Sequence, residues 1–153
     1  MTKQEFLAAA TVAARDSSRI SGLPAGVTVA QAALESAWGK SQLSRQANNY
    51  FGIKAHGEHG YIELPTTEAV KGVSVHKAAR FAKYTSMAEC FADRDRLILK
   101  LACYADARNS AGDPEAFVRA LAKHWATDPS YAEKVLNVYR ANKFDELDHP
   151  KQQ

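Results

Sequence analysis

An acidic side chain within a short apolar stretch is the first candidate for chemistry. Glu35 lies in AQAALESAWG, where apolar residues repeat at helical spacing and predict a buried helix face. Gln31 and Trp38 share one side of this predicted helix with Glu35, because residues three or four apart face the same way. An indole beside a carboxyl reduces its hydration and favours the protonated form. The sequence therefore predicts a general acid at Glu35, on a helix that ends at Gly39.

Composition and charge exclude several classes of function. The 153 residues are 46% hydrophobic and 24% charged, which is typical of one soluble globular domain. A net charge of +3 is too weak to indicate nucleic-acid binding, although it suits an anionic polymer. No signal-peptide core and no run of 18 apolar residues occurs, so we expect synthesis in the cytoplasm and no membrane insertion. Cys90 and Cys103 are too far apart along one predicted helix for a disulfide, and both are predicted to be buried.

The elements around Glu35 are predicted to be mostly helical. Three pairs of a hydroxyl residue followed three positions later by Glu or Gln predict helix starts: Thr2 with Glu5, Thr28 with Gln31, and Ser86 with Glu89. The helix after Ser86 has an apolar face that also contains Arg94. Two further starts are predicted where an N-cap acid precedes a proline, at Asp113-Pro114 and Asp128-Pro129. Asn142 is predicted to end the last helix.

Only the middle of the chain has the alternation of apolar and polar residues that is typical of β-strands. Short β-prone segments at 61–64 and 73–81, with a turn at Lys71-Gly72 between them, predict a small sheet of two or three strands. Helices, a small sheet and more helices make an α+β fold, in which a cleft can form between the two lobes. We expect a single domain over residues 1–148 and a tail at 149–153.

Five motifs occur in one order along most of the chain, from about residue 27 to residue 136: AQAALESAWG, NNYFGIK, TTE, RFAKYTS and WATDPSYAEKV. Together they resemble the family-73 glycoside hydrolases, which are bacterial and phage endo-β-N-acetylglucosaminidases and include the peptidoglycan-hydrolase domain of flagellar rod proteins. The resemblance implies a lysozyme-like fold, mostly helical, with a small β-lobe forming one side of a cleft. It implies cleavage of the β-1,4 bond between N-acetylglucosamine and N-acetylmuramic acid, without a cofactor.

The same resemblance implies catalytic carboxylates. Glu35 matches the family's general acid, and Glu68 in the TTE triplet matches its second carboxylate, the base or stabiliser, with Glu63 as the competing residue. Glycoside hydrolysis needs a proton on the leaving oxygen and either a negative charge or an activated water at the sugar carbon. Carboxyls about 5 Å apart indicate retention, and about 6.5 to 9.5 Å inversion. A third route uses the acetamido group of the substrate, and the sequence leaves all three open.

Aromatic and amide side chains are the candidates for sugar contacts. Where the family usually has a tyrosine before ATDP, this chain has Trp125, whose indole stacks on sugars but has no hydroxyl. The role of that tyrosine is either absent or taken by Tyr131, Tyr84 or another group, and core packing explains Trp125 equally well. The expected substrate contacts are Trp38, Asn49, Tyr50, Tyr84, Trp125 and Tyr131.

Two histidines have a spacing that occurs in metal-binding motifs. His56 and His59 form an HxxH segment, but a metal site needs three or more converging ligands. The sequence therefore predicts no required metal. Ser36 is next to Glu35 yet has no motif-based His or Asp partner, which argues against a serine hydrolase.

The leading hypothesis is a peptidoglycan hydrolase that acts on glycan strands of the bacterial wall, as a monomer. A chain with no signal peptide and no separate wall-binding module fits a phage endolysin or a virion-associated lysin, or the cargo of a secretion system. A muramidase or lytic transglycosylase of the same fold is the enzymatic alternative. A non-catalytic glycan-binding module is the alternative of another class, favoured by the missing tyrosine.

Overall fold

A computed structural model describes residues 1–149, with the side chain of Glu68 outside the described part. Helices precede and follow one β-hairpin, as the sequence predicts. The α-helices are α1 (Lys3–Ser21), α2 (Ala25–Ser36), α3 (Gln42–Ala47), α4 (Met87–Lys100), α5 (Ala105–Asn109), α6 (Pro114–Trp125), α7 (Tyr131–Ala141) and α8 (Asp145–Asp148). The strands are β1 (Gly60–Val70) and β2 (Val73–Lys83), and a 3-10 turn covers Ala102–Tyr104. No helix within the described residues combines enough length and apolar character to cross a bilayer.

The core of the helical body forms around α2. Ten of the twelve residues of this helix are buried, and α1, α7 and α8 pack against it. Small side chains on α1, such as Ala10 and Ala14, have no exposed surface and permit close helix packing. Most of the surface of α2 is therefore covered, and the helix is a rigid support for Glu35 in its last turn.

Several predicted helix starts are confirmed. Glu5 donates its backbone N–H to the Thr2 hydroxyl, and Glu89 does the same to Ser86. Asp113 accepts from the N–H of Ala116 ahead of α6. Helix α7, by contrast, begins at Tyr131, two residues after the predicted position.

The predicted start at Thr28 is wrong, because α2 already begins at Ala25. Thr28 is buried inside the helix, and its hydroxyl donates to the Pro24 carbonyl at 3.1 Å. The prediction for Cys103 is also wrong, since this thiol is exposed while Cys90 is buried. Helix α4 ends at Lys100, so Cys103 lies in the following 3-10 turn and not on the buried face.

Helix α2 ends three residues before Gly39. Ala37, Trp38 and Gly39 all have positive φ (49°, 59° and 80°), and the N–H of Gly39 donates to the Ser36 hydroxyl at 2.9 Å. Trp38 therefore does not continue the helical row of Glu35, and that expectation is wrong. Its indole instead packs edge-on against Phe6, with 5.9 Å between ring centroids.

The sheet is a two-stranded antiparallel hairpin. It is paired from Gly60 with Lys83 to Val70 with Val73, and Lys54 adds one isolated bridge to Phe81. Lys71 and Gly72 have φ of 52° and 78°, the two positive values of a type I′ turn. Pro65 lies within β1, which is possible because each strand of a two-stranded sheet has an unpaired edge.

A short helix after Asn142 was not predicted. The Asp148 carboxylate on α8 accepts from the N–H of Gly26 at 2.8 Å and from the Tyr139 hydroxyl at 2.8 Å. A Cβ at position 26 would lie 2.1 Å from the Phe144 carbonyl oxygen, so this close approach requires glycine. Residues 150–153 of the predicted tail lie outside the described part of the chain.

Candidate active site

An open cavity of about 880 Å³ lies between the helical body and the hairpin. Its lining combines an acid with apolar, aromatic and a few polar groups: Glu35, residues 51–56, Thr67, Ala69, Phe81, Leu97, Leu101, Tyr104 and residues 125–127. Such a mixture suits a carbohydrate, whose ring faces are apolar and whose edges carry hydroxyls.

The position of Glu35 favours its protonated form. Glu35 has an exposed surface that lines the cavity, yet the protein around its carboxyl reduces the hydration of that group. Burial raises the pKa of Glu35, and a hydrogen bond from Tyr131 acts in the opposite direction. A raised carboxyl pKa is what proton donation near neutral pH requires.

A chain of hydrogen bonds fixes the direction of the Tyr131 hydroxyl. Arg94 Nε donates to Gln31 Oε1 at 2.9 Å, and Gln31 Nε2 donates to the Tyr131 hydroxyl at 3.0 Å. Because a guanidinium only donates, Gln31 must present its oxygen to Arg94 and its NH₂ to Tyr131. The tyrosine oxygen therefore accepts, and its own proton is left for Glu35.

Arg94 has no exposed surface and anchors this chain inside the protein. Its Nη1 donates to Asp95 at 2.8 Å and to the Thr28 hydroxyl at 2.9 Å. The guanidinium also lies 5.5 Å from the ring centroid of Phe51, which lines the cavity. The arginine thus connects the core to the wall of the candidate site.

Trp125 packs against other aromatic residues and also reaches the cavity. Its half-buried indole lies at the end of α6, with ring centroids 6.4 Å from Phe51 and 6.1 Å from Tyr104. It also lines the cavity. Tyr131 is the aromatic residue whose hydroxyl lowers the pKa of Glu35.

Glu35 is the only carboxylate among the described side chains that line this cavity. Thr67 and Ala69 on β1 both line it, and Glu68 between them pairs with Val75, with a side chain outside the described part. Glu63 lies elsewhere. Its carboxylate accepts from Arg80 Nε at 3.1 Å and borders a separate surface depression.

Five of the six expected sugar contacts do not line the cavity: Trp38, Asn49, Tyr50, Tyr84 and Tyr131. Asn49 uses its whole amide internally. Its Nδ2 donates to the carbonyls of Ile53 and Ala82, and its Oδ1 accepts from the N–H groups of Phe51 and Ile53. Asn49 therefore holds the cavity segment in shape.

All three tyrosines of this set are buried. Tyr50 packs against Phe6 and Phe91, and Tyr84 donates its hydroxyl to Asp93. The sequence signal for the Arg94 network is an arginine inside an otherwise apolar helix face. Tyr104 and Thr127 in the lining were not anticipated.

One group of possible metal ligands lies beside the cavity. His56, His59 and Asp93 bring ligand atoms within 4.8 Å of one another, and His56 also lines the cavity. Asp93 on α4 thus adds a third potential ligand to the pair His56 and His59.

Comparison with known proteins gives consistent matches. Residues 11–144 match the model of the family Glucosaminidase, described as mannosyl-glycoprotein endo-beta-N-acetylglucosaminidase. The peptidoglycan hydrolase FlgJ of Pseudomonas aeruginosa is 36% identical over 143 residues, which are 89% of this chain and 36% of that protein. The exo-glucosaminidase LytG of Bacillus subtilis is 32% identical over 127 residues, 80% of this chain and 45% of that protein. The chain thus spans less than half the length of these curated relatives.

Among solved structures, the catalytic domain of the autolysin Auto from Listeria monocytogenes has a TM-score of 0.84 and 28% identity. The match covers 95% of this chain and 86% of that one. The lysozyme-like α+β fold expected from the sequence is confirmed.

Proposed function

The chain belongs to the glucosaminidase family of glycoside hydrolases, and from this premise we propose that it hydrolyses bacterial peptidoglycan at the β-1,4 bond between N-acetylglucosamine and N-acetylmuramic acid. One observation carries the proposal: Glu35, with its raised pKa, opens into a cavity shaped between two lobes. The FlgJ relatives, named as peptidoglycan hydrolases, support the choice of polymer.

In the proposed reaction, protonated Glu35 donates its proton to the glycosidic oxygen as the bond to the sugar carbon breaks. The carboxylate that remains accepts the hydrogen bond from Tyr131. That bond lowers the Glu35 pKa while burial raises it, so the two effects together set the pH range in which the acid works. Trp125 and Phe51 supply apolar surface for the sugar rings.

We propose Glu68 as the group that stabilises the sugar cation or activates water. Its position in the TTE triplet, which resembles the family motif, supports this choice over Glu63, whose carboxylate is paired with Arg80. Glu68→Gln and Glu63→Gln, made in parallel, test the assignment. We expect a large loss of kcat for the first and nearly unchanged kcat for the second. Full activity of Glu68→Gln would instead favour the acetamido-assisted route.

The bond that is cleaved is tested by mass spectrometry of purified walls after digestion and borohydride reduction. Reduced N-acetylglucosamine at the new ends of oligosaccharides supports the proposal. Reduced N-acetylmuramic acid would indicate a muramidase, and anhydro-N-acetylmuramic acid a lytic transglycosylase. Release of single N-acetylglucosamine residues would indicate the exo mode named for LytG. Digestion with Glu35→Gln is the matched negative control.

One observation favours a second candidate, a non-catalytic glycan-binding module: Trp125 stands where the family usually has a tyrosine. A suspension of walls separates the two functions. Loss of turbidity supports the hydrolase, whereas binding to walls without clearing at any pH between 5 and 8 supports the module. In both cases the bacterial cell wall is the proposed place of action.

A further inference from the structure

Three potential metal ligands from two distant parts of the chain meet at the base of the hairpin. His56 and His59 belong to the segment that leads from the cavity wall into β1, and Asp93 lies on α4. His56 Nε2 is 2.7 Å from Asp93 Oδ2, and His59 Nε2 is 3.5 Å from Asp93 Oδ1. Asp93 is almost completely buried, while His56 remains partly exposed toward the cavity. Both imidazoles therefore direct their Nε2 atoms at the carboxylate of Asp93.

The groups behind these ligands fix their orientation. His59 Nδ1 is 3.3 Å from Glu89 Oε1, and Glu89 in turn accepts from the Thr85 hydroxyl. Tyr84 donates its hydroxyl to Asp93 Oδ2 at 2.5 Å. Metal-binding histidines characteristically donate their other ring nitrogen to a carboxylate, which leaves the ligating nitrogen deprotonated and aimed at the ion.

The Asp93 oxygen that faces His59 also pairs with the exposed Arg96, whose Nη2 lies 3.3 Å from Oδ1. His59 Nδ1 lies beside Glu89, so the ring presents its other nitrogen, Nε2, toward Asp93.

The distances fit a tetrahedral site after a small adjustment. Metal–ligand bonds of 2.0 to 2.2 Å at tetrahedral angles separate neighbouring ligand atoms by about 3.3 to 3.5 Å. His59 Nε2 already lies at this distance, 3.5 Å, from Asp93 Oδ1. His56 Nε2 is 2.7 Å from the other oxygen, Oδ2, so the imidazole or the carboxylate must shift before all three residues bind one ion.

We propose that His56, His59 and Asp93 bind one divalent transition-metal ion. Two imidazoles and a carboxylate suit Zn²⁺, and solvent from the cavity side completes its coordination. The ion fastens the segment 54–59, which forms part of the cavity wall, to α4. It takes no part in bond cleavage, so the proposal is independent of the function assigned to Glu35.

Binding is tested on the untagged chain after treatment with a chelator and removal of that chelator. Titration with Zn²⁺ should show one ion per chain. At a hundredfold excess of Zn²⁺ over its Kd, the unfolding midpoint should rise by roughly 5 to 10 °C. Substitution of Co²⁺ should give the visible absorption bands of a tetrahedral site. No rise in midpoint and no such bands would overturn the proposal.

Matched variants locate the site. His56→Gln and His59→Gln should abolish both the midpoint rise and the Co²⁺ bands. His76→Gln should retain them, because His76 lies on β2 and hydrogen-bonds Thr67. Asp93→Asn changes the buried acceptor of the Tyr84 hydroxyl, which puts the folding of this variant at risk. The two histidine variants leave that hydrogen bond in place, so the test depends on them. A wild-type response to Zn²⁺ in His56→Gln or His59→Gln would overturn the assignment.

Discussion

The two banks of the cavity are built in different ways. On one side Glu35 is held by a buried network that runs through Tyr131, Gln31 and Arg94 to the core. On the other side is a two-stranded hairpin whose residues are mostly exposed on both faces. The hairpin is attached at its base, where Ala55 donates to the Arg80 carbonyl and Ala82 donates to that of Ile53.

This difference separates a bank that maintains the fold from one whose residues contribute little to it. A two-stranded hairpin by itself is marginally stable in water, so its base must hold it in position. The acid, in contrast, is held in position by side chains that are almost completely buried. Substitutions in the helical bank should therefore change stability or the Glu35 pKa, whereas those in the hairpin should leave the fold intact.

The largest effect is expected for Glu35→Gln. The amide keeps the shape but donates no acidic proton, so kcat for wall hydrolysis should fall about 10²- to 10⁴-fold. Clearing assays on purified walls, with circular dichroism as the check on folding, measure this. Activity within tenfold of wild type would exclude Glu35 as the acid.

The same variant tests the cause of the Glu35 pKa. Because that pKa is raised in the folded state, the folded chain binds more protons than the unfolded chain between the two pKa values. The free energy of unfolding should therefore fall as the pH rises above the unfolded value. Glu35→Gln has no such loss of stability. Its free energy of unfolding should therefore exceed that of wild type at pH 7 and equal it below about pH 4.

Arg94→Met should have the largest effect on stability. It leaves Asp95, Gln31 and Thr28 buried without their cationic partner, which costs about 3 to 5 kcal/mol of unfolding free energy. Urea denaturation measures the loss. Arg96→Met is the matched control on the same helix, because its side chain is largely exposed. Equal midpoints for the two variants would contradict the role of the buried network.

Tyr131→Phe should move the pH profile of activity. The hydrogen bond from Tyr131 lowers the Glu35 pKa, so its loss should raise that pKa and shift the alkaline limb of kcat upward by about one pH unit. Tyr139→Phe is the matched control, since it removes a buried hydroxyl that hydrogen-bonds Asp148. It should lower the unfolding midpoint without moving the profile. An unchanged pH profile in Tyr131→Phe would mean that this hydroxyl does not influence the pKa of Glu35.

The smallest effect is expected in the hairpin. Arg80→Ala removes an exposed ion pair with Glu63, and such pairs contribute little because water and salt screen them. The unfolding midpoint should stay within about 2 °C of wild type in a thermal melt. A larger drop would mean that the hairpin contributes more to the stability of the body than its exposure indicates.

Local signals in the sequence predicted the elements well. The caps at Thr2, Ser86 and Asp113 and the turn at Lys71-Gly72 depend on side chains and backbone preferences within a few residues, so they can be read from the chain directly. Thr28 shows the limit. It has the local pattern of a cap, but burial against Arg94, 66 residues away, gives its hydroxyl another partner.

The sequence by itself determined the α+β order, the helix that carries Glu35, and the aromatic residue at position 125 beside a candidate sugar site. Only the tertiary structure decided which side chains reach the cavity, because burial and hydrogen bonding are settled between distant segments. Asn49, Tyr50 and Tyr84 are of types that bind sugars, yet the core uses them. Arg94, Gln31 and Tyr131 form one donor chain only after α2 has packed against α7 and Arg94 of α4 has reached Gln31.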